Sequence, residues 1–326
     1  MIYLETGSSD PHFNLAAEEY VFEQMSRAEE YFMLWQNRPS VIIGRYQNTA
    51  EEVNQAYVRE NGIDVVRRLS GGGAVYHDMG NLNFTYIVNC ADQETIQAKR
   101  FTEPVLETLK HFGVKAQCTG RNDITIDGAK FCGNAQYIKN GRLLYHGCIM
   151  VDTDLTKVTK ALTPNPAKFE SKSTKSVRSR VTTISRHAPN PVSMEDFKKT
   201  LRSYVMREKN DCCETICLGA QAEVNEISKS KYSTWEWNYG QTIPFTMRRQ
   251  KKYPAGLVEA YLQADHGTIE KIRFYGDFFC NKELRELEEK LEGVRLDAGL
   301  ESCLQSLQIQ DYFCGIGAEE LTELLR

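Results

Sequence analysis

Residues 67–78 read Arg-Arg-Leu-Ser-Gly-Gly-Gly-Ala-Val-Tyr-His-Asp and follow the apolar run 63–66, which predicts a strand. Three consecutive glycines disfavour a helix or strand interior, because each glycine loses much backbone entropy on folding. The bare N–H groups of such a loop can converge on an anion, and arginine offers a planar fork for carboxylate or phosphate. A flexible turn with a solvated basic edge is the alternative. The flanking pairs Arg67-Arg68 and His77-Asp78 favour an anion-binding loop.

Composition limits the kind of protein this is. The 326 residues include 40 Lys and Arg and 44 Asp and Glu, so the net charge of −4 gives no reason to expect a nucleic-acid partner. The length suggests two domains. No apolar run approaches the length of a membrane span, and the N-terminus lacks the pattern of a secretion signal. The ten cysteines contain no Cys-x-x-Cys pair, which favours reduced thiols in a cytoplasmic protein over zinc or disulfides.

Turn and cap signals predict a mixture of helices and strands. Asp10-Pro11 is typical of a helix start, and residues 51–61 predict a second helix closed by Gly62. The apolar runs 31–35 and 40–43 predict a hairpin across Gln36–Pro39. Asp127-Gly128 and Asn140-Gly141 predict two further hairpins.

The last third of the chain predicts a small C-terminal α+β domain from about residue 250. Residues 257–264 and 269–275 predict a strand pair, and helices follow to the end of the chain. The basic run 248–252 before them predicts a solvated linker.

Two further segments could carry charge into a binding site. Lys130 follows the Asp127-Gly128 turn, where an isolated lysine is most often a solvated edge residue, yet small residues after it would let a ligand approach the backbone. The polar and basic segment 168–181 has no helical or strand period. It predicts either a disordered linker or a lid whose cations engage phosphate.

The 67–78 stretch resembles the lipoate-binding loop of the lipoate–protein ligases, Arg-Arg-x-Ser-Gly-Gly-Gly-x-Val-x-His-Asp, at every fixed position. Residues 42–54 resemble the same family. The family's essential lysine stands in Lys-x-Ser-Gly-x-Ala, which is similar to the segment beginning at Lys130, although Cys132 replaces the serine. Residues 176–181 resemble its adenylate-binding loop, and residues 235–240 resemble a Trp-x-Trp-x-x-Gly motif that we interpret as structural.

The resemblance implies an α+β fold. It implies a large biotin-ligase-like domain of mixed β-sheets with flanking helices, which would be the catalytic, lipoate- and ATP-binding domain of residues 1–245. A small C-terminal α+β accessory domain would follow over residues 250–326. The implied activity is ATP-dependent: lipoate is converted to lipoyl-AMP with release of pyrophosphate, and the lipoyl group is transferred to a lysine. The acceptor would be a lipoyl domain of a 2-oxoacid dehydrogenase complex or the glycine-cleavage H protein, and the ligase itself a monomer.

The resemblance also assigns residues. Lys130 would be catalytic, as a positive clamp on the lipoyl carboxyl group and the α-phosphate. Arg178 and Arg180 would belong to the adenylate loop, and Asp123 is the candidate ligand for Mg²⁺, which prefers oxygen. ATP and the lipoyl-adenylate would contact Arg68, Gly71, Gly72, Gly73, Ala74, Val75, Tyr76, His77 and Lys130.

Three alternatives remain open on the sequence. A lipoyl or octanoyl transferase could use a preformed activated or carrier-bound donor, and Cys132 or Cys148 near His146 would then be a possible nucleophile. A non-catalytic sensor of lipoate or nucleotide is a second alternative, which the presence of Arg68 and Lys130 disfavours. A biotin ligase is a third, and its Gly-Arg-Gly-Arg loop is absent.

Overall fold

The computed structural model describes residues 1–90, 99–119, 123–163, 181–206, 213–215, 218–240 and 245–326. The strands are β1 (Ile2–Glu5), β2 (Tyr31–Trp35), β3 (Ser40–Ile43), β4 (Asp64–Arg67), β5 (Val75–His77), β6 (Asn81–Asn89), β7 (Gln117–Thr119), β8 (Asp123–Ile126), β9 (Ala129–Lys139), β10 (Arg142–Met150), β11 (Cys213–Thr215), β12 (Met247–Tyr253), β13 (Gly256–Asp265) and β14 (Thr268–Gly276). The α-helices are α1 (Pro11–Glu23), α2 (Thr49–Glu52), α3 (Gln55–Glu60), α4 (Lys99–His111), α5 (Leu155–Ala161), α6 (Met194–Met206), α7 (Leu218–Ile227), α8 (Trp235–Asn238), α9 (Leu284–Leu291), α10 (Ala298–Gln305), α11 (Ile309–Tyr312) and α12 (Ala318–Leu325). A 3-10 turn covers Ile184–Arg186, and a π-helical turn covers Ser228–Tyr232.

A large mixed sheet forms the centre of the molecule. Within the described residues its strand order is β11-β1-β2-β6-β10-β9-β8-β7. Helices α4 and α6 pack on one face, where Phe101 and Phe197 join a core of aromatic and aliphatic side chains. Helix α1 covers the other face with Leu15 and Phe22. Burial of both faces explains why β2 is a continuous apolar run. Strand β6 alternates polar and apolar residues as far as Tyr86, and its residues are buried from Asn81 to Val88.

A second, three-stranded sheet carries the glycine-rich stretch. Its order is β4-β3-β5, with β3 parallel to β4 and antiparallel to β5. The loop 68–74 joins the two outer strands. The sheet therefore holds both ends of that loop.

The C-terminal domain has its own core. Strands β12, β13 and β14 form an antiparallel sheet, and helices α9 to α12 cover it mainly with leucines. The expected α+β architecture, with a large sheet, flanking helices and a small C-terminal domain, is confirmed. No helix in the described part of the chain is both long and apolar enough to span a bilayer.

The two domains meet beside the glycine loop. Tyr46 stacks on Phe278 with ring centroids 5.4 Å apart, and its hydroxyl contacts the Cys280 Sγ at 2.6 Å. Glu51 of α2 accepts hydrogen bonds from Arg248 and Tyr261 of the C-terminal sheet. The C-terminal domain is therefore anchored on the segment that follows β3.

The hairpin predicted over residues 31–43 is wrong. Both strands exist, but β2 pairs with β1 and β6 in the large sheet, whereas β3 pairs with β4 and β5 in the small one. The hydrogen bonds of Asn14 to the Gln36 carbonyl and the Asn37 side chain tie the connection to α1. The two strands therefore diverge into different layers.

Two further element predictions need correction. The helix expected over 51–61 is two helices, because the Asn54 side chain caps α3 by accepting from the Tyr57 N–H. The basic run 248–252 is not a linker but most of strand β12. Its residues alternate between exposed and half-buried, and cations along an edge strand hinder further strand pairing. The strand pairs at Asp127-Gly128, Asn140-Gly141 and 257–275 are confirmed.

Candidate active site

The glycine loop is packed on both sides. Gly72 has a φ of +90°, a conformation that favours glycine. A β-carbon at Gly44 would collide with the Gly72 carbonyl, and one at Gly71 would collide with the Phe278 carbonyl of the C-terminal domain. These contacts exclude the alternative of a flexible turn.

Arg68 holds this loop from within. Its guanidinium is buried and donates to the Ser70 hydroxyl at 3.0 Å, to the Gly71 carbonyl at 2.6 Å and to the Gly73 carbonyl at 3.0 Å. Burial lowers the pKa of Arg68 to about 10, so it stays a cation at neutral pH. These three bonds organise the loop itself. The expected contact of Arg68 with ATP stays a prediction.

Arg67 does not bind an anion in this arrangement. It is buried, and its donors go to carbonyls of residues 44, 45, 47, 237 and 238 and to the Thr49 hydroxyl. Burial, with a smaller effect from Arg45, lowers its pKa to about 9. The indole of Trp237 donates to the Arg67 carbonyl at 2.8 Å. The aromatic motif 235–240 therefore packs on the strand that leads into the glycine loop.

Lys130 lies at the start of β9, where the Asp127-Gly128 turn places it. Its Nζ is 2.7 Å from Asp123 Oδ1 on the neighbouring strand β8, and each side chain is about one third exposed. A β-carbon at Gly133 would lie 2.8 Å from the Lys130 Nζ, so the small residue gives the ammonium its space. Lys130 is thus a partly exposed cation that pairs with the Asp123 carboxylate, not a free edge residue.

A cavity brings most of the predicted residues together. It encloses about 610 Å³ of space, its open mouth included, and is lined by Leu15, Trp35, Ile42, Arg68, Gly72, Gly73, Ala74, Val75, His77, Asn83, Lys130, Gly133, Asn134, Ala135, His146, Gly147 and Cys148. We call Leu15, Trp35, Ile42 and Val75 its apolar wall. Gly71 and Tyr76 do not line it: Gly71 packs on Phe278, and Tyr76 lies in the core beside the small sheet.

His77 of the motif is kept neutral. Burial, with smaller contributions from Arg68 and His146, lowers its pKa to about 3. Its Nδ1 lies 3.2 Å from the Asn37 amide nitrogen, which fits an accepting Nδ1. His77 therefore supplies a polar but uncharged edge to the cavity.

Sequence reasoning missed a buried polar triad in the cavity wall. The His146 Nε2 lies 2.6 Å from the Ser70 hydroxyl, and its Nδ1 lies 2.9 Å from Glu18 Oε1. Ser70 belongs to the recognised loop, but Glu18 is on α1 and His146 on β10. Two features of the sequence could have indicated it. One is His146, which lies in a mostly apolar strand, and the other is Glu18, which lies on the buried face of α1.

The thiol alternative gains no support from the geometry. Cys148 lines the cavity, whereas Cys132 is buried in the core. Burial raises the pKa of both thiols. His146 has both ring nitrogens engaged by Ser70 and Glu18. The histidine named in the thiol alternative is therefore not free to act as a base for Cys148 in this arrangement.

Asp123, the candidate magnesium ligand, lies at the Lys130 edge of the cavity. Asp123 is paired with Lys130, and among the described residues no three or more Asp, Glu, His or Cys side chains form a metal-binding group. Arg178 and Arg180 lie outside the described residues. Val181 forms an isolated β-bridge with Lys130. The next residue, Thr182, donates its backbone N–H to the Lys130 carbonyl at 2.8 Å. The predicted adenylate loop therefore ends beside Lys130.

Replacing Gly133 by alanine should separate activity from stability. The new methyl group would meet only the flexible end of Lys130, so we expect the melting temperature to change by less than about 2 °C. A displaced ammonium should lower any Lys130-dependent rate about tenfold, since a small misplacement of a catalytic group is costly. Thermal unfolding and initial rates on the same preparation test this, and a variant with unchanged rate would contradict it.

The fold and cavity define a class of protein. A glycine loop held between two strands, a cation at its open edge and an apolar wall suit an amphipathic ligand with an anionic head. Residues 10–205 match the family described as the lipoyl protein ligase A/B catalytic domain, and residues 242–325 match the bacterial lipoate protein ligase C-terminus. The chain belongs to the lipoate–protein ligase family.

Individual relatives agree over the full length. The lipoate-protein ligase LplJ of Bacillus subtilis is 39% identical over 331 residues, which cover 100% of both chains. Lipoate–protein ligase 1 of Staphylococcus aureus is 40% identical over 97% of both chains.

Solved structures show the same fold. Plasmodium falciparum LipL1 in complex with lipoate is 24% identical, with a TM-score of 0.83 over 99% of this chain and 98% of that one. The bi-partite lipoate protein ligase of Thermoplasma acidophilum, studied with its E2 lipoyl domain, is 30% identical, with a TM-score of 0.66 over 76% and 98%. A lipoate-protein ligase A bound with ATP is 28% identical, with a TM-score of 0.64 over 73% and 97%.

Proposed function

We propose that this chain is an ATP-dependent lipoate–protein ligase that works in two steps. In the first, a lipoate carboxylate oxygen attacks the α-phosphorus of ATP, the bond to the β-phosphate oxygen breaks, and pyrophosphate leaves. In the second, a lysine amine of an acceptor protein attacks the carbonyl of lipoyl-AMP. The amide forms, AMP leaves, and the amine loses a proton. The names of the full-length relatives support this activity.

One observation carries the proposal: a single cavity is lined by Lys130, by the glycine loop and by the apolar wall. Lipoate has a carboxylate at one end and an apolar chain and ring at the other. The wall would bury the chain, and Lys130 would hold the carboxylate. The cation and the loop amides would stabilise charge that develops on the α-phosphate and the acyl oxygen, in a site shielded from water.

The finer residue roles are part of the proposal. The amides of residues 72–75, which line the cavity, would orient the nucleotide or the adenylate, with Arg68 fixing their conformation. Arg178 and Arg180 would approach the phosphate from the segment that ends at Val181, beside Lys130. A magnesium ion would neutralise phosphate charge when bound. We propose Asp123 as the carboxylate that would hold it, since Mg²⁺ commonly takes one or two carboxylates together with substrate phosphates.

We include an acceptor and a domain division in the proposal. The related archaeal ligase was studied with its E2 lipoyl domain, so a lipoyl domain of a 2-oxoacid dehydrogenase complex is the proposed acceptor, with H protein as the second. Residues 1–245 would bind lipoate and ATP, and residues 250–326 would be accessory. We expect a monomer that works in the cytoplasm, where free thiols such as Cys118 and Cys148 persist.

The test is the first half-reaction. The purified protein is incubated with lipoate and MgATP without an acceptor, and pyrophosphate release and bound lipoyl-AMP are measured. We expect about one lipoyl-AMP per protein and turnover only when a lipoyl domain is added. A folded protein that forms no adenylate would defeat the ligase proposal. Lipoyl-AMP and lipoylated carrier proteins would then be tried as donors, with Cys148→Ala as the variant that examines the transferase alternative.

A further inference from the structure

The buried triad is the middle of a longer chain of hydrogen bonds. On one side the Thr85 hydroxyl contacts Glu18 Oε1, and the Trp35 indole N–H donates to Thr85 at 2.9 Å. On the other side Arg68 Nε donates to Ser70 at 3.0 Å. Arg68 in turn binds the carbonyls of the glycine loop. The chain thus runs without a break from the apolar wall to that loop.

The direction of each proton can be assigned. The indole of Trp35 can only donate, so Thr85 accepts from it and donates to the Glu18 carboxylate. Glu18 also accepts from His146 Nδ1–H. The His146 Nε2 then accepts the Ser70 hydroxyl proton, and Ser70 accepts from Arg68. The His146 Nδ1–H is shared between Glu18 Oε1 at 2.9 Å and Oε2 at 3.2 Å. The other donors each have one acceptor within the chain, so all of its bonds run in one direction.

Burial limits what the chain can do. Ser70 and Thr85 are 0% exposed, Glu18 is 3% exposed and His146 is 7% exposed. Trp35, His146 and Arg68 line the cavity, whereas Ser70 does not. The Ser-His-Glu order is that of a hydrolase triad, but a serine outside the cavity wall cannot reach a bound acyl group. A molecule that fills the cavity would nevertheless contact both ends of this chain of hydrogen bonds, at Trp35 and at Arg68.

We propose that Glu18 and His146 are positioning residues that couple acyl binding to nucleotide binding. An acyl chain that packs against Trp35 and His146 would fix the orientation of both rings. Through their hydrogen bonds, Ser70 and Arg68 would then restrict the positions of the Gly71 and Gly73 carbonyls. The loop is already packed in this conformation, and a bound acyl chain would stabilise it further before ATP arrives. This inference rests on the proposed function, because it takes lipoate and ATP as the two ligands.

The experiment measures the coupling directly. The dissociation constant of the α,β-methylene analogue of ATP, which cannot transfer its AMP group to lipoate, is determined with Mg²⁺ by calorimetry, with and without saturating lipoate. Couplings between sites are typically 5- to 150-fold. We expect wild-type protein to bind the analogue about tenfold more tightly with lipoate. Glu18→Gln and His146→Gln should each reduce this factor to less than about threefold.

A matched control is available in the other domain. Glu288 is also a buried carboxylate, 5% exposed, and it accepts from the Phe274 N–H. Glu288→Gln removes the same charge at similar burial and should keep the wild-type coupling. If Glu18→Gln does not fold, Trp35→Phe decides, since it removes the indole donor but keeps an aromatic ring, and it should also weaken the coupling. Wild-type coupling in His146→Gln and Trp35→Phe, or none in wild-type protein, would overturn the inference.

The two proposals can fail separately. Calorimetry needs binding but no reaction, so the coupling factor is measurable whether or not adenylate forms. Adenylate formation together with unchanged coupling in the variants would remove only the positioning role. Absence of adenylate from folded wild-type protein would remove the ligase proposal.

Discussion

Alanine in place of Lys130 is expected to lower the rate of lipoyl-AMP formation by about 10²- to 10³-fold, the usual cost of losing one preorganised group at a developing charge. The lysine lines the cavity with the glycine loop and pairs with Asp123 at 2.7 Å. In the proposed mechanism its loss would leave the meeting point of carboxylate and phosphate without this cation. Single-turnover formation of lipoyl-AMP, measured by mass spectrometry, gives the rate.

The control for this prediction lies on the same strand. Lys139 ends β9, pairs with Glu23 at 2.9 Å and is about half exposed. Lys139→Ala should leave the adenylation rate within about twofold, because an exposed ion pair contributes little. Lys130→Arg should recover only part of the activity, since a planar guanidinium cannot replace a compact ammonium in the space left by Gly133. Equal rates in Lys130→Ala and Lys139→Ala would show that Lys130 is not the catalytic cation.

The loop and the lysine could be predicted because their signals are local. Residues 67–78 are contiguous, and Lys130 follows a turn dipeptide that fixes its strand. Glu18 and His146 could not, because 128 positions separate them and 76 separate Ser70 from His146. Their contact requires α1 to lie on the large sheet and β10 to pair in register with β6. Periodicity within either segment carries no information about that packing.

The fold errors have the same physical origin. A turn signal at 36–39 shows that the chain bends, but not which sheet each strand joins. The charge of the basic run 248–252 predicts a solvated linker. The run nevertheless forms an edge strand, in which exposed and half-buried residues alternate. Arg67 and Arg68 illustrate the point for the site. Both suggested anion binding, yet a guanidinium can be satisfied equally well by backbone carbonyls, and only the folded chain determines which acceptors surround it.

Arg67→Ala is expected to have the largest effect on stability. The side chain donates to five backbone carbonyls and one hydroxyl, and it is 1% exposed. Each buried carbonyl left without a donor costs about 1–3 kcal/mol, so we expect a loss of 4 kcal/mol or more and a urea midpoint lower by about 1 M or more. Unfolding followed by tryptophan fluorescence measures this directly.

An exposed arginine, Arg27, provides the control for this prediction. Arg27 is exposed and donates to a single carbonyl, that of Asn140, so Arg27→Ala should stay within about 0.5 kcal/mol of wild type. Arg67→Lys should recover little, because one ammonium has three donors for six acceptors.

Arg67 also joins residues 44–47, which touch the C-terminal domain through Tyr46, to residues 237 and 238. Its loss should therefore loosen the domain contact and the glycine loop together, and equal urea midpoints for the two alanine variants would refute this role.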